Sequence, residues 1–467
     1  MKHMKQTNRR ITSAVMSAAM LLSAAAMPCR SLLMTQPLSA FAAEAERVTP
    51  AAEEVEENGF VFTVETDHAV VKEYTGTDAA VKIPAEGGGK PVTAIGSRAF
   101  SNNATITSVE FPETVKTVGS EAFMNCENLK KATLHEGLTT LGYDAFYGTA
   151  VGEIYIPASL KEGKSALYGM GSLKKITWGE GITSILPGLC YACSGLTEFT
   201  IPETVTVIGD GAFKACKGLT EVDIPETVKT VDSEAFMNCE NLKKATLHEG
   251  LTTLGYDTFY GTAVEEVYIP STLKNGKSAF YGAGALKKVT FSSQLKAIPA
   301  SLLYGCSALE EIKVPGNVTQ ISDDVFKKCE NLKKIRIMNK KCVIADSDDT
   351  ISDTAEIWCR KDSTAEAYGE KYERKVVLLS DEPVETGDFD GDDIADTEDA
   401  QNVLNAYVEI LAGNDTKLSG AQKKTCDVNG DGTVDTADAQ LILLYYTQNT
   451  LAGIPTEWED LIQNNSL

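Results

Sequence analysis

A repeat of 22 or 23 residues runs through the middle of the chain and limits its fold more than any other feature. In the unit 219–239, apolar residues occupy positions 1, 4, 6, 10, 13, 17 and 18. The alternation at positions 4 and 6 predicts a short half-buried strand, which the following Pro ends. One unit cannot bury its own apolar edge, so the copies are expected to stack into a solenoid with a continuous core. The ten units begin at Ile106, Leu129, Val151, Leu173, Leu196, Leu219, Leu242, Val264, Leu286 and Leu309.

The detailed pattern of the units resembles the BspA-like family of bacterial leucine-rich-repeat proteins. Residues 201–216 follow the pattern Ile-Pro-x-x-Val-x-x-Ile-Gly-x-x-Ala-Phe-x-x-Cys, and residues 111–126 follow it nearly as well. Residues 59–105 and 332–380 resemble the entry and exit caps of that family. The resemblance implies an α/β solenoid over residues 59–380, with one short strand per unit.

A longer period is superimposed on the short one. The segment from Pro112 reappears almost verbatim from Pro225, an offset of 113 residues or five units. This pattern indicates the duplication of a five-unit block, so a functional residue inside the block needs a role that works twice.

Six cysteines share position 21 of their units. Position 21 behaves as a core slot, and Cys is a small, readily buried residue, so a ladder of buried free thiols is predicted. Disulfides between stacked neighbours and metal binding remain alternatives. Cys342 and Cys359 lie in the exit cap and are expected to pair more readily than the others. The six cysteines are Cys126, Cys193, Cys216, Cys239, Cys306 and Cys329.

Charged residues alternate in sign along the predicted strand face. Units with Lys-Lys at positions 2 and 3 largely alternate with units that carry Glu there, so neighbouring units are expected to form ion pairs and to neutralise the face. Tyr155 and Tyr268, at position 5, are candidate contacts for a sugar or a protein, or simply exposed strand aromatics.

The two ends of the chain differ in charge. Residues 1–42 combine a basic start, an apolar run and Ala40-Phe41-Ala42, which predicts a signal peptide, followed by an acidic linker over 43–58. The whole chain has a net charge of -23, and residues 384–467 contain 17 Asp+Glu against 3 Lys+Arg, a net of -14. Such acidity argues against nucleic acid and anionic lipid as partners and favours cations. No membrane insertion is predicted.

Two acidic loops near the carboxyl end repeat one spacing of oxygen-bearing side chains 39 residues apart. Loops 388–399 and 427–438 place them at positions 1, 3, 5, 9 and 12, with a main-chain carbonyl available at position 7. Calcium prefers about 6–8 such oxygen ligands from a flexible loop. A merely solvated acidic loop does not explain the same spacing twice, so two calcium ions are predicted. The predicted ligands are Asp388, Asp390, Asp392, Ile394, Asp396 and Asp399 in the first loop, and Asp427, Asn429, Asp431, Thr433, Asp435 and Asp438 in the second.

Each loop continues into an apolar helix, and the loop–helix pair resembles a type I dockerin over residues 388–453. The resemblance implies a small all-α module that docks onto a cohesin module of a scaffoldin, as in cellulosomes. A linker over 381–387 precedes the module and a tail over 454–467 follows it. Asp393 replaces the Gly expected at position 6 of the first loop. The positions that read the partner in this family are Thr397, Glu398, Thr436 and Ala437, with Tyr407 and Tyr446 nearby.

These features together predict a secreted, non-catalytic cargo protein that is held at the cell surface through a scaffold complex. The solenoid is expected to bind a protein or a polysaccharide. Two alternatives remain, a carbohydrate-active hydrolase of the same complex and a structural spacer.

Overall fold

The computed structural model describes residues 53–197, 199–379, 386–389, 395–413, 418–451 and 456–465. The predicted signal peptide lies outside these residues. The strands are β1 Glu53–Glu57, β2 Phe60–Val64, β3 Ala69–Tyr74, β4 Ala80–Lys82, β5 Glu86–Gly87, β6 Lys90–Ile95, β7 Ser108–Glu110, β8 Thr117–Val118, β9 Lys131–Thr133, β10 Thr140–Leu141, β11 Glu153–Ile156, β12 Lys175–Trp178, β13 Ser184–Ile185, β14 Val207–Ile208, β15 Glu221–Ile224, β16 Thr230–Val231, β17 Lys244–Leu247, β18 Thr253–Leu254, β19 Glu266–Ile269, β20 Lys288–Phe291, β21 Ala297–Ile298, β22 Glu311–Val314, β23 Gln320–Ile321, β24 Lys334–Ile337, β25 Val343–Ile344, β26 Glu356–Arg360 and β27 Val376–Leu379. The helices are α1 Thr364–Lys371, α2 Thr397–Leu411, α3 Gly420–Cys426, α4 Thr436–Tyr446 and α5 Trp458–Asn465, with a π-helical turn over Thr447–Leu451.

The described solenoid begins with an antiparallel hairpin, and this corrects the predicted acidic linker over its described residues, 53–58. Strand β1 pairs with β2 from Glu53↔Val64 to Glu57↔Phe60. Asn58 and Gly59 connect the two strands, and both have positive φ, 50° and 78°. Asn-Gly favours such a two-residue turn, because both residues tolerate the left-handed backbone that the turn needs. Four glutamates in β1 are exposed, which explains why composition alone suggested a linker.

Seven of the ten units contribute two parallel strands in the described residues, rather than the single one predicted. One ladder contains the strands at unit positions 3–6, with registers such as Glu221↔Lys244. A second ladder contains two-residue strands at positions 12–13, with registers such as Val207↔Thr230. In these short strands position 12 is half-buried and position 13 is buried. Two residues are too few to show a period of two in the sequence, so the second ladder was missed.

The return segments are turns, not helices. In the return of each unit two residues have left-handed backbone, for example Glu234 at φ 57° and Asn238 at φ 58°. The returns bond to one another along the solenoid, as when the Phe213 N–H donates to the Ala235 carbonyl at 2.8 Å. These bonds between units satisfy backbone groups that an isolated turn would leave exposed.

A stack of phenylalanines runs through the core beneath the returns. The ring centroids of Phe213 and Phe236 lie 5.5 Å apart, those of Phe236 and Phe259 5.7 Å, and those of Phe259 and Phe280 5.0 Å. These rings are buried and nearly parallel. One apolar cluster extends from Phe60 in the entry hairpin to Tyr368 in the exit cap. The predicted continuous core is therefore confirmed.

The six cysteines at position 21 are free and buried, as predicted. Each thiol donates to a main-chain carbonyl 26 residues earlier, for example Cys239 Sγ to the Phe213 carbonyl at 3.1 Å and Cys193 Sγ to the Leu167 carbonyl at 3.0 Å. Burial raises the pKa of Cys239 to about 12. The position therefore links neighbouring units by a hydrogen bond in addition to filling core volume.

The expected pairing of Cys342 with Cys359 is wrong, because both are free and buried. Cys342 precedes β25 in one ladder, whereas Cys359 lies in β26 in the other. Both thiols fill the same continuous core without pairing.

The C-terminal module, by which we mean the described residues between 386 and 465, has its own small core. Helices α2 and α4 pack against each other. Helix α5 lies in the predicted tail and contributes Leu461 to this core, while Trp458 stacks on Tyr445 with ring centroids 3.9 Å apart. The core residues are Ala400, Val403, Cys426, Val428, Val434, Ala439, Leu441, Ile442 and Leu461.

Candidate functional site

The second acidic loop, 427–438, connects helices α3 and α4. Its side chains hold the backbone in a tight curve: Asn429 Oδ1 accepts from the Asp431 N–H at 2.8 Å, and Asp431 Oδ1 accepts from the Thr433 N–H at 2.8 Å. The Gly432 N–H donates to Asp427 Oδ2 at 2.9 Å. Hydrogen bonds from Thr433 lower the pKa of Asp431. The side-chain oxygens of Asp427, Asn429 and Asp431 therefore fix the curve of the loop backbone.

Asp438 closes the second loop from its last position. Its Oδ1 accepts from the N–H groups of Val428 and Asn429 at 2.8 and 3.2 Å, and its Oδ2 accepts from the Asp435 N–H at 2.9 Å. Asp438 is fully buried. Burial raises its pKa, and the nearby Asp427 adds to the effect, although the three backbone bonds oppose it. A carboxylate held this way ties the two ends of the loop together.

The described part of the first loop repeats this arrangement. Asp399 Oδ1 accepts from the Phe389 N–H at 2.7 Å, and its Oδ2 accepts from the Asp396 N–H at 2.8 Å. Asp388 and Asp399 are buried. The predicted ligands Asp390, Asp392 and Ile394 lie outside the described residues.

The residues at position 9 of the two loops, Asp396 and Asp435, are also the N-caps of helices α2 and α4. Asp396 Oδ1 accepts from the Glu398 N–H and Asp435 Oδ1 accepts from the Ala437 N–H, both at 2.7 Å. Together with Asp399 and Asp438 they form capping boxes at the starts of α2 and α4. Capping alone explains carboxylates at positions 9 and 12, but it does not explain the oxygen-bearing side chains at positions 1, 3 and 5.

The two loops are braced against each other through helix α3. The Gly387 N–H donates to the Thr425 carbonyl at 2.7 Å, and Gln422 Nε2 donates to the Phe389 carbonyl at 3.2 Å. Burial raises the pKa of the Cys426 thiol to about 12, and carboxylates of both loops add to the effect. The site is thus a single unit in which the start of one loop supports the approach to the other.

The donor set of the second loop fits a hard cation. Asp427 Oδ1 is buried and has no hydrogen-bond partner, a costly state for a carboxylate oxygen that a cation would relieve. Within the described ranges, no three acidic, thiol or imidazole side chains converge closely enough to hold a metal ion as they stand. The carboxylates instead accept from loop N–H groups. The second loop therefore fits a cation through the type and spacing of its oxygen donors and through the unpaired Asp427 Oδ1.

The predicted partner-reading residues are mostly exposed. Thr397 and Glu398 lie at the start of α2, and Thr436 and Ala437 lie at the equivalent start of α4, all four exposed. Tyr407 is half-buried in α2.

Tyr446 differs in burial from Tyr407, its counterpart in the first half of the module. It is buried, and its hydroxyl oxygen accepts from Gln294 Nε2 of the solenoid at 2.7 Å. The two halves of the module therefore present unequal surfaces.

Tyr155 and Tyr268 occupy equivalent places on the strand face of the solenoid, and both donate a hydrogen bond to a glutamate of the preceding unit. The Tyr155 hydroxyl donates to Glu136, and the Tyr268 hydroxyl donates to Glu249 Oε1 at 3.2 Å. Glu249 also accepts from the backbone of Ser271 at 2.9 Å. These contacts give both tyrosines a role in joining units, so a ligand role is not needed to explain them.

The alternating charges of the strand face form the predicted ion pairs. Lys287 lies 2.8 Å from Glu265 and Lys333 lies 2.7 Å from Glu310, measured from Nζ to the nearer carboxylate oxygen. All four side chains are more than half exposed, so each pair contributes only about 0–1 kcal/mol. Their main effect is to leave the face nearly neutral.

Sequence reasoning missed a set of tyrosines on the return side of the solenoid. Tyr143, Tyr147, Tyr168 and Tyr191 recur 113 residues later as Tyr256, Tyr260, Tyr281 and Tyr304. The five-unit offset was visible in the sequence and would have revealed them, had each tyrosine been traced through it.

Two parallel ladders of short strands around a continuous apolar core define a leucine-rich-repeat solenoid. The family described as BspA type leucine-rich repeat region matches residues 93–220, 161–277 and 274–347, which together cover more than half of the chain. The chain belongs to this family. The C-terminal module lies outside the matched residues.

Several solved structures resemble this chain. A leucine-rich cell surface protein from Faecalibacterium prausnitzii is 24% identical over 70% of this chain and 95% of its own, with a TM-score of 0.36. A leucine-rich-repeat protein from Bacteroides ovatus is 17% identical over 72% and 100%, with a TM-score of 0.40. The pneumococcal vaccine antigen PcpA is 20% identical over 71% and 99%, with a TM-score of 0.44. No curated protein sequence matches the chain significantly.

Among the described residues, no helix combines the length and the apolar composition that crossing a bilayer requires.

Proposed function

We propose that the protein is a secreted, non-catalytic binding component whose C-terminal module is a calcium-loaded dockerin. In this proposal the module docks onto a cohesin of a scaffoldin, and the solenoid presents a surface that binds a ligand outside the cell. The orphaned Asp427 Oδ1 in a loop whose donor spacing occurs twice is the observation that carries the proposal.

The buried carboxylates support the calcium part of the proposal. Asp388, Asp399 and Asp438 are all buried in the C-terminal module, and buried like charges destabilise a fold unless they are neutralised. Bound calcium would supply that positive charge, with the oxygen donors of loops 388–399 and 427–438 as its ligands. The loop N–H bonds hold the same side chains in place before a cation arrives.

The exposed helix starts support the docking part. In the first half Thr397 and Glu398 are exposed, and Val408 and Leu411 of the same helix are 60% and 68% exposed. In the second half Tyr446 is hydrogen-bonded to Gln294 of the solenoid. We therefore infer that the first half is the more accessible to a cohesin.

The calcium part is tested by calorimetric titration of the full chain with CaCl₂ after chelator treatment. The wild-type chain is expected to bind two ions, because each loop supplies one donor set. Asp388→Ala with Asp427→Ala should abolish the heat of binding, since the first ligand of each loop is lost. Asp460→Ala, which changes an exposed acidic residue of α5, is the matched control and should leave binding unchanged. No calcium uptake by the wild-type chain would contradict the proposal.

The docking part is tested by screening the full chain against a panel of cohesins with and without chelator. Capture that requires calcium is expected. Glu398→Ala with Thr397→Ala should weaken capture more than Thr436→Ala does. Calcium uptake without capture by any cohesin would leave a calcium-stabilised module and contradict the docking role.

A further inference from the structure

The charge of the strand face differs between the two five-unit blocks, which are residues 106–218 and 219–331. Positions 2 and 3 of the units contain four lysines and two glutamates in the first block, but four lysines and five glutamates in the second. The net charge at these positions is therefore +2 in the first block and -1 in the second. The four lysines of the first block, which we call the lysine patch, are Lys130, Lys131, Lys174 and Lys175.

The lysines of the patch are exposed and lie in two pairs, one in the unit before Gly152 and one in the unit after it. Two strand spacings, roughly 10 Å, separate the pairs. The ion pairs that join positions 2 and 3 of neighbouring units begin with Glu265 and Lys287, and none of them in the described residues includes a lysine of the patch. The patch therefore presents four ammonium groups to solvent.

Gly152 keeps the space between the two lysine pairs open. A Cβ atom at this position would have the Ser172 carbonyl oxygen, 3.9 Å away, as its nearest neighbour. The Gly152 carbonyl accepts from the Lys174 N–H at 2.8 Å, and the carbonyl of its duplicate Glu265 accepts from the Lys287 N–H at the same distance. The backbone is thus bonded alike in the two blocks, and the difference lies in the side chain.

The side chains of the second block close the equivalent place to an anion. A shallow cleft there is lined by Lys244, Glu265 and Glu266, among others. Glu265 lies 2.8 Å from Lys287 and Glu266 lies 3.5 Å from Lys288. Two of the four lysines are therefore paired, and the carboxylates repel a negatively charged ligand.

The acidic residues near the patch do not cancel its charge. Glu153 is the one acidic residue at positions 2 and 3 between the two lysine pairs. Glu136 lies beyond the other end of the strands, where it accepts from the Tyr155 hydroxyl and from the Ala158 N–H at 3.1 Å. Exposed charges more than about 8 Å apart are largely screened at physiological salt. The local charge of the patch, rather than the net charge of -23 of the chain, thus decides what it attracts.

The composition of the patch favours an extended polyanion over a folded protein. The cores of protein interfaces are enriched in aromatic residues, Met and Arg and are depleted in Lys. In the described residues of the first block, the exposed large apolar side chain is Tyr143, which lies on the return side. The patch therefore offers charge without an apolar anchor beside it.

The same face lacks the features that nucleic acid recognition uses. Single strands stack on exposed aromatic rings, and duplexes admit a helix or a two-stranded ribbon into the major groove. The described strand face of the first block has no exposed aromatic ring, and no helix occurs among the described residues of that block. A polysaccharide of uronate sugars needs neither feature, because its carboxylates recur at regular intervals along an extended chain.

We propose that the lysine patch binds an anionic polysaccharide of uronate sugars, which lies along the row of positions 2 and 3. The inference rests on the proposed function in that both treat the solenoid as the ligand-binding part, and it names the surface and the class of ligand. The contacts are those of lysine ammonium groups with uronate carboxylates, so binding weakens as salt screens them.

The test is surface plasmon resonance of the full chain over immobilised polygalacturonate in EDTA. The chelator prevents calcium from bridging the acidic C-terminal region to the polymer. Binding is expected at low salt and should weaken several-fold when NaCl is raised. A surface of fully methyl-esterified polygalacturonate should capture no chain, since it has the same sugars without the charges.

Matched lysine variants in the two blocks locate the site. Lys130→Gln with Lys131→Gln should reduce the affinity about tenfold, because two exposed charge contacts are lost. Lys243→Gln with Lys244→Gln, the same change 113 residues later, should leave the affinity unchanged. The altered side chains are exposed, so both variants should keep the wild-type melting curve in circular dichroism.

Gly152 variants separate charge from space. Gly152→Glu gives the first block the residue of the second and should weaken binding about as much as loss of the lysine pair does. Gly152→Gln adds a side chain of the same size without the charge and should weaken binding less. Equal losses would overturn the charge basis of the site.

A transplant tests whether the charge pattern is sufficient. Glu221→Ser with Glu265→Gly and Glu310→Thr gives the second block the residues of the first at positions 2 and 3. The affinity for long polygalacturonate should rise several-fold, because two linked sites then engage one polymer. An unchanged affinity would show that the pattern does not define the site.

Absence of binding to polygalacturonate would overturn the inference, and so would equal binding to the methyl-esterified polymer. Tighter binding of the chain to DNA than to polygalacturonate would assign the patch to nucleic acid instead. None of these results affects calcium uptake or cohesin capture, which test the proposed function separately.

Discussion

The solenoid and the C-terminal module bury different kinds of side chain. The solenoid stacks apolar rings, with Phe236 fully buried between Phe213 and Phe259. The C-terminal module buries carboxylates, among them Asp388 and Asp438. The first interior gains stability by removing apolar area from water, whereas the second loses stability unless its charges are neutralised.

The two regions also differ in how far their charged residues are paired with one another. In the solenoid, acidic and basic residues pair on the surface, as Lys287 does with Glu265. In residues 384–467 there are 17 acidic residues against 3 basic ones, so internal pairing cannot balance them. Internal pairing can therefore neutralise far less of the charge in the C-terminal residues than on the strand face of the solenoid.

The largest expected effect is on the solenoid core. Phe236→Ala should lower the free energy of unfolding by about 3–5 kcal/mol, because it leaves a cavity in the aromatic stack. Urea unfolding followed by circular dichroism measures the loss, which should be the same with EDTA and with CaCl₂. Tyr256→Ala is the control and should change the free energy by less than about 0.5 kcal/mol. A loss of unfolding free energy that depends on calcium would show that the stability of the solenoid is coupled to that of the C-terminal module.

The second prediction concerns the effect of calcium on the alkylation rates of two buried thiols. Cys426 is buried beside the second loop, and Cys239 is buried in the solenoid. Calcium at a hundred times its dissociation constant should stabilise the module by about 2.7 kcal/mol and slow alkylation of Cys426 about a hundredfold.

Peptide mass spectrometry after iodoacetamide treatment of the native chain measures both rates. The rate for Cys239 should not respond to calcium. Equal protection of both thiols would show that the two regions unfold together.

The smallest effect concerns the thiol ladder. Cys239→Ala should cost about 1–2 kcal/mol, because it removes the Sγ donor to the Phe213 carbonyl together with some core volume. Cys239→Ser keeps a donor and should cost less. Urea unfolding of the two variants separates the contributions, and equal losses would assign the whole effect to volume.

Much of the fold could be predicted from the sequence because the same pattern of apolar residues occurs in ten units. The stacked core, the free thiols at position 21 and the ion pairs of the strand face were all predicted. The second strand ladder was not, because a two-residue strand such as Thr230–Val231 has no readable period. The entry hairpin was missed because four exposed glutamates obscured the Asn58-Gly59 turn.

The candidate site was predicted in part. Donor spacing located both acidic loops, and the structure adds how Asp438 closes the second of them. The burial of Tyr446 against Gln294 joins residues 152 positions apart, and no local pattern indicates such a contact. The stacking of Tyr147 on Tyr168 likewise depends on the register between units.

The sequence by itself determined which residues face the core and which oxygen donors lie together, because both follow from short periods along the chain. Only the tertiary structure decided what neighbouring units do to one another. It placed the Cys239 thiol on the Phe213 carbonyl, the Tyr155 hydroxyl on Glu136 and Tyr147 against Tyr168. Contacts of this kind depend on side-chain direction and on the distance between stacked units, which the order of residues does not record.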